Sequence, residues 1–325
     1  MPGMVEDLYR YIWKVSARDQ VLLSLLAVAL FLIELAPLEL QRRIVNGAIE
    51  GRGFEFVGLL CLAYAAVALV HGVLKLAMNV YRGSVSEAAN RRLRMQINPP
   101  ATAASASAPA SEDEGVKISI IVSEVESVGG FVGASFSEPL LNAGILLSIL
   151  GYMIFTQPWM ALVAFLIFCP QLLFIPYLQE AINRRTKRRI ETMRALSVDI
   201  VDEAADRAGV RTHQAFRRRI VHVYRLNMQI FRRKYGMNFL MNLLYHLGII
   251  GILAMGGWLV LHGKTEVGTI VAFISGLNRM NDPWGDLVDF FRNLTNTGLK
   301  YRMIAAELAK QPAERAPRPG SARIS

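Results

Sequence analysis

Six apolar stretches, each close to the length needed to cross a bilayer, limit what this chain can fold into. They are Val21–Leu40, Phe56 to about Val80, Pro139 to about Phe155, Trp159–Leu178, Phe239–Leu261 and Val267 to about Phe291. A helix needs about 20 mostly apolar residues to span the hydrocarbon, and only helices and closed barrels satisfy their own backbone groups there. Runs of this length predict helices. Composition agrees: 53% of the 325 residues are hydrophobic and 19% charged, too apolar a balance for an ordinary soluble domain. The first stretch is too long for a signal peptide, and no small-residue cleavage site follows it. The sixth is the most polar.

Orientation follows from the cations. With the N-terminus inside, the segments on that side hold about 30 Lys and Arg and the opposite loops about 4. The net charge of +10 therefore needs no nucleic acid to explain it. Arg184-Arg185-Thr186-Lys187-Arg188-Arg189 and Arg217-Arg218-Arg219 face anionic lipid or a partner, and no aromatic side chains interleave them as a stacking platform requires. Cys61 and Cys169 both lie in apolar spans. They read as small core residues rather than as metal ligands or a disulfide framework.

Outside the spans the helical pattern continues. Tyr81–Ile97 and Gln179–Tyr235 contain no proline, and Gly209 is the one glycine of the second segment. At 1.5 Å per residue such arms reach tens of Å beyond the membrane. The opposite loops are short: Thr156-Gln157-Pro158 and roughly His262 to Glu266. Residues 1–20, with Leu8, Ile12 and Val15 at helical spacing, suit an amphipathic helix in the inner interface. Residues 98–115, NPPATAASASAPASEDEG, read as a flexible linker, and 311–325 as a disordered tail. The main domain then runs from 21 to 310.

Gly263-Lys264-Thr265 ends the stretch GGWLVLHGKT and invites a reading as a phosphate-binding loop. Such a loop places four residues between its first glycine and Gly-Lys-[Ser/Thr]. Here five separate Gly257 from Gly263, and six separate Gly256. The tripeptide also follows an apolar helix instead of joining a strand to a helix start. It reads as an external turn. No Leu-Ser-Gly-Gly-Gln signature and no apolar strand ending in paired acids occurs.

Charges within spans carry the functional candidates. Glu34, three residues before Pro37, is either a pathway acid or a carboxyl satisfied by a neighbouring helix. Lys75 lies nearer the inner end of its span and is expected to snorkel to the interface. In NRMNDPWGD, Arg279 and Asp282 are three residues apart and can pair on one helix face, Pro283 invites a kink, and Trp284 follows. Glu34, Arg279, Asp282 and Trp284 are the candidate pathway residues. His71 and His246 read as core histidines. No catalytic triad, metal cluster or paired-acid constellation is found.

GGWLVLHGKTEVGTIVAFISGLNRMNDPW, Gly256–Trp284, resembles the fifth and sixth helices of ABC exporter transmembrane domains. FTQPWMALVAFLIFCPQLLFIPYL, Phe155–Leu178, resembles that family's turn into its fourth helix and the helix itself, and Gln179–Tyr235 its second intracellular loop. The resemblance covers roughly residues 5 to 310. It implies an all-α membrane fold of six transmembrane helices with long cytoplasmic extensions. It further implies half of a dimeric translocation pathway, as a homodimer or a heterodimer, in the plasma (inner) membrane with both termini cytoplasmic. Asp206, Gly209 and Arg211 fall where a coupling turn toward the ATPase is expected. The family's nucleotide-binding domain does not follow the sixth helix here, so the resemblance implies a permease subunit with no cofactor of its own and a nucleotide-binding ATPase, holding ATP-Mg, on a separate chain. The 98–115 segment departs from the family's first coupling helix. A regulatory protein that dimerises without transporting, and a passive channel, are the alternatives.

Overall fold

The computed structural model describes residues 2–97, 124–204 and 210–314, and no strand occurs among them. The helices are α1 (Pro2–Ile33), α2 (Leu35–Ile49), α3 (Phe54–Ile97), α4 (124–134), α5 (Ser137–Thr156), α6 (Pro158–Ala204), α7 (Val210–Leu261) and α8 (Val267–Glu314). The linker expected at 98–115 lies outside the described residues, as does the tail from 315, and α8 continues past Gln311 to Glu314. Five helical stretches among the described residues are long and apolar enough to cross a membrane; α8 is not among them. Its expected span carries Asn278, Arg279, Asn281, Asp282 and Asp286, and those side chains lower its apolarity.

The chain divides into two compact units, one of residues 1–152 and 279–325, the other of 153–278. In the first, α1 breaks twice, each time for a local reason. At Ser16 the backbone leaves helical geometry (φ −144°, ψ 31°). The polar side chains at the break are satisfied. The Ser16 hydroxyl donates to the Ile12 carbonyl, and Gln20 donates to the Val132 carbonyl at 2.8 Å while accepting from Ser135. A buried amide without such partners would cost about 1–3 kcal/mol. At Ile33 the helix stops because Pro37 has no N–H to offer the Ile33 carbonyl and its ring crowds that group. Glu34 sits in the break, and α2 resumes at Leu35.

The segment expected to lie as an amphipathic helix in the interface is helical, but its apolar face is turned into protein. Leu8 and Ile12 are fully buried and join Leu23, Ala27, Met78, Val85, Leu93, Val128 and Phe290 in one core. Tyr81 donates to Asp19 at 2.7 Å, and Arg92 to the Val15 carbonyl at 2.8 Å, which ties α3 to α1. The opposite end of α3 buries almost nothing. Leu59, Leu62 and Leu69 are 66%, 68% and 69% exposed, a surface suited to hydrocarbon rather than water. Cys61 lies on this exposed stretch and not in a core, because α2 covers only the face of α3 that carries Val57 and Tyr64.

α4 lies unusually close to α3. A Cβ on Gly129 would come within 1.9 Å of Asn90 Oδ1 and 2.9 Å of the Asn90 backbone nitrogen, and one on Gly133 within 2.5 Å of the Arg82 carbonyl. Two glycines four residues apart share a helix face, and the absent side chains let the backbones approach.

The second unit is built on the long pair α6 and α7, with the first turns of α8. At 47 and 52 residues the pair measures about 70 and 78 Å at 1.5 Å per residue, well beyond a hydrocarbon core of about 30 Å. Pro158 opens α6 in its first turn, where a missing N–H costs nothing. Gly251 and Gly256 of α7 admit Val163 and Met160 of α6.

Gly263-Lys264-Thr265 is a helix cap. Gly263 adopts φ +65°, its N–H bonds the Val260 carbonyl at 2.9 Å, and the Lys264 N–H bonds the Leu259 carbonyl at 2.9 Å. This pairing closes the last turn of α7, whose outward groups are carbonyl oxygens at the negative end of the helix dipole. A phosphate loop needs the opposite end. Gly263→Val is expected to destabilise the purified chain by about 1–2 kcal/mol, the cost of a side chain in left-handed geometry. Lys264→Ala should leave the melting temperature nearly unchanged. Thermal unfolding of both variants checks this, and equal melting for Gly263→Val and wild type would count against the cap.

Candidate functional site

Three helices of the first unit turn polar stripes toward one cavity of about 280 Å³. Each stripe follows helical spacing. On α3 it is His71, Lys75, Met78 and Arg82; on α5, Glu138, Leu141, Asn142 and Ile145; on α8, Arg279, Asp282, Pro283 and Asp286. Leu30 and Glu34 complete the wall at the α1–α2 break. Residues at i, i+3, i+4 and i+7 share a face, so each helix can present its polar positions inward while the remainder of its surface stays apolar.

Glu34 is the most enclosed charge, 12% exposed. Its carboxylate accepts from the Arg279 guanidinium and lies 2.9 Å from His71 Nε2. One acid thus joins α3 and α8 at the point where its own helix is interrupted. Across the cavity Arg82 approaches Glu138 at 4.0 Å. Lys75, Asp282 and Asp286 line the space and remain accessible. The inventory is four carboxylates, three fixed cations and one imidazole. Opposite charges at this density reduce one another's desolvation cost, whereas any of them alone in hydrocarbon would be expensive.

Of the candidate pathway residues, Glu34, Arg279 and Asp282 meet in this cavity. Arg279 and Asp282 do share a helix face, but Arg279 takes Glu34 as its partner rather than Asp282. The carboxylate at the α1–α2 break lies in line with the guanidinium, and Asp282 is left available. Trp284 does not line the cavity. One residue beyond Pro283, it is turned about 100° around the helix, and its indole N–H is buried with no hydrogen-bond partner among the described residues. Lys75 stands one helical turn from His71, lines the same cavity and is exposed, and Glu34 pairs with Arg279 and His71 rather than with it.

His71 is the functional candidate that sequence reasoning set aside. A usable signal was present, since His71, Lys75 and Arg82 fall on one stripe of an otherwise apolar helix. Glu138 and Asp286 were also missed, at i−4 to Asn142 and i+4 to Asp282. Among the expected coupling residues, Asp206 and Gly209 lie outside the described residues, and of Arg211 only its place in the first turn of α7 is described. No group of three metal-ligating side chains occurs among the described residues.

Compared with known protein families, residues 23–204 match the ABC transporter transmembrane region, more than half of the chain. The matched range takes in the α1–α2 break, all of α3 and α5, and three walls of the cavity. No curated protein matches the sequence.

Proposed function

The chain belongs to the ABC transporter transmembrane region family and is a multi-pass membrane component of that class of transporter; on that premise we propose that it forms half of a dimeric export pathway. Two such halves, identical or related, enclose the route. A nucleotide-binding ATPase carrying ATP-Mg closes and opens it through the α6–α7 arms. The ATPase contact falls where those helices join, with Asp206 and Gly209 between them in sequence and Arg211 in the first turn of α7. The chain resides in the plasma (inner) membrane with both termini on the cytoplasmic side, the side that collects the great majority of its Lys and Arg. No nucleic acid is involved.

The observation that carries this reading is the charged cavity. A bundle held by packing alone gains nothing from four carboxylates inside a membrane domain. Replacing a buried ion pair by apolar residues of similar volume is often neutral or stabilising. Charges kept in such a place mark pathways and moving elements. The break at Glu34 interrupts one wall of this space, while α8, expected to kink at Pro283, runs unbroken past it with one backbone donor fewer, so the wall has a place to change shape at the α1–α2 junction.

Asp282→Ala supplies the test. Asp282 is accessible and is not the partner of Arg279, so its loss leaves the Glu34 pairing intact. In liposomes containing the chain and its ATPase, the variant is expected to insert normally. It should lose about tenfold or more of transport-coupled ATPase activity, a barrier change of about 1.4 kcal/mol or more. Unchanged activity would remove Asp282 from the pathway. Flux through the chain alone, without ATP, would replace the transporter reading with a channel.

A further inference from the structure

A second polar space lies in the first unit, apart from the charged cavity. Two adjoining hollows of about 400 and 380 Å³ share Tyr11, Lys14, Tyr301 and Ala305. Arg10 and Arg302 line the first and Arg92 the second. Four cations from three helices therefore converge, and no acid is among the described lining residues. This contrasts with the cavity at Glu34, where carboxylates outnumber fixed cations. The rings of Tyr11 and Tyr301, with centroids 5.2 Å apart and planes tilted by 36°, line both hollows. The Tyr11 hydroxyl is buried without a hydrogen-bond partner among the described residues.

We propose that these hollows bind the phosphate headgroup of an anionic phospholipid. Charge selects the ligand class: a phosphodiester offers several acceptor oxygens to guanidinium and ammonium groups, which prefer it in charge-assisted geometry. A lipid is favoured over a free phosphate by the position along α1. Immediately beyond the Ser16 break the helix exposes Val21, Leu22 and Leu25 at 49%, 44% and 61%, and Trp13, 52% exposed, stands before it. A tryptophan at the edge of an apolar exposed run marks the headgroup level of a bilayer. Basic pockets between membrane helices at that level hold anionic headgroups. Arg92 is already oriented by its bond to the Val15 carbonyl, so one wall of the site is preformed. An occupant would join the start of α1 to α3 and α8. The inference is independent of the transport reading.

The test uses the full chain in detergent micelles doped with dioleoyl-phosphatidylglycerol or dioleoyl-phosphatidylcholine. Retained lipid is counted by native mass spectrometry. The wild-type chain should hold phosphatidylglycerol in preference to phosphatidylcholine. The triple variant Arg10→Gln, Lys14→Gln, Arg302→Gln should weaken phosphatidylglycerol binding about 100-fold, at roughly tenfold or less per cation removed. Arg52→Gln with Lys264→Gln, which removes two cations from the short turns on the other side, should leave it unchanged. Equal retention of the two lipids, or an equal loss in both variants, overturns the site. A thermal melt of the triple variant near that of wild type shows that lost binding is not lost folding, and a melt depressed before lipid is added overturns a headgroup role in favour of a packing one. Glycerol 3-phosphate or inorganic phosphate displacing the lipid at equal concentration overturns the lipid as the source of the phosphate.

Discussion

Glu34→Ala is expected to destabilise the chain by about 3–5 kcal/mol, the cost of leaving one member of a buried ion pair without the other. Glu34 is 12% exposed and accepts from Arg279 while facing His71 at 2.9 Å. Truncation takes from the guanidinium its enclosed partner and leaves it only the accessible Asp282, one turn along α8, in its place. Glu34→Gln keeps an acceptor oxygen for Arg279 and should lose less. The double variant Glu34→Leu with Arg279→Leu removes both charges and is expected to recover most of the stability, since apolar replacement of such a pair is often neutral or better. Unfolding of the four proteins in the same detergent separates the cases. A double variant less stable than Glu34→Ala would show that the pair is not coupled. Transport should follow a different order from stability. If the cavity is a working pathway, the double variant folds but does not transport.

The second large effect falls on a contact with no charge in it. Gly133→Ala adds one methyl group, placed within 2.5 Å of the Arg82 carbonyl and 2.3 Å of Ser86 Oγ. A side-chain oxygen can rotate away, but a backbone carbonyl inside a 44-residue helix cannot move without carrying α3 with it. The expected loss is about 2–3 kcal/mol, at the upper end of the range for forced overpacking. The buried residues of α4, Val125, Val128 and Val132, would lift from Val85, Ala89 and Leu93. Gly130→Ala is the internal control. A Cβ there meets nothing within 4 Å, and replacing a helical glycine by alanine gains up to about 1 kcal/mol. The two variants differ by three positions in sequence and should shift the melting temperature in opposite directions. A shared direction would show that helix propensity, and not the α3–α4 approach, governs both.

Legibility differed sharply between elements. The apolar spans, the continuation of α6 and α7 beyond them, and the end of α7 at a glycine were readable because each depends on neighbouring residues: hydropathy over about 20 positions, an uninterrupted helical pattern, a residue able to take positive φ. The Gly-Lys-Thr question was settled the same way, by what precedes the tripeptide. Glu34 and Arg279 were visible as charges in apolar surroundings. Their union was not, because 245 residues separate them and local pattern holds no information about helix register at that distance. Lys75 shows the same limit: its place on the cavity, one turn from His71, follows from the lateral packing of α3 and not from its position within the span. Gly129 and Gly133 were present as GGFVG, but a small-residue pair becomes meaningful only when the opposing helix is known.

Composition and periodicity were enough to make this chain a helical membrane protein with arms beyond the bilayer, since burial in hydrocarbon leaves a single segment few other ways to satisfy its backbone. Which polar residues meet, which face of α4 has to be bare, and which cations gather beside Tyr11 were decided by packing. Those outcomes depend on the rotation and register of whole helices against one another, and such quantities arise from contacts between distant segments that no local stretch of residues contains.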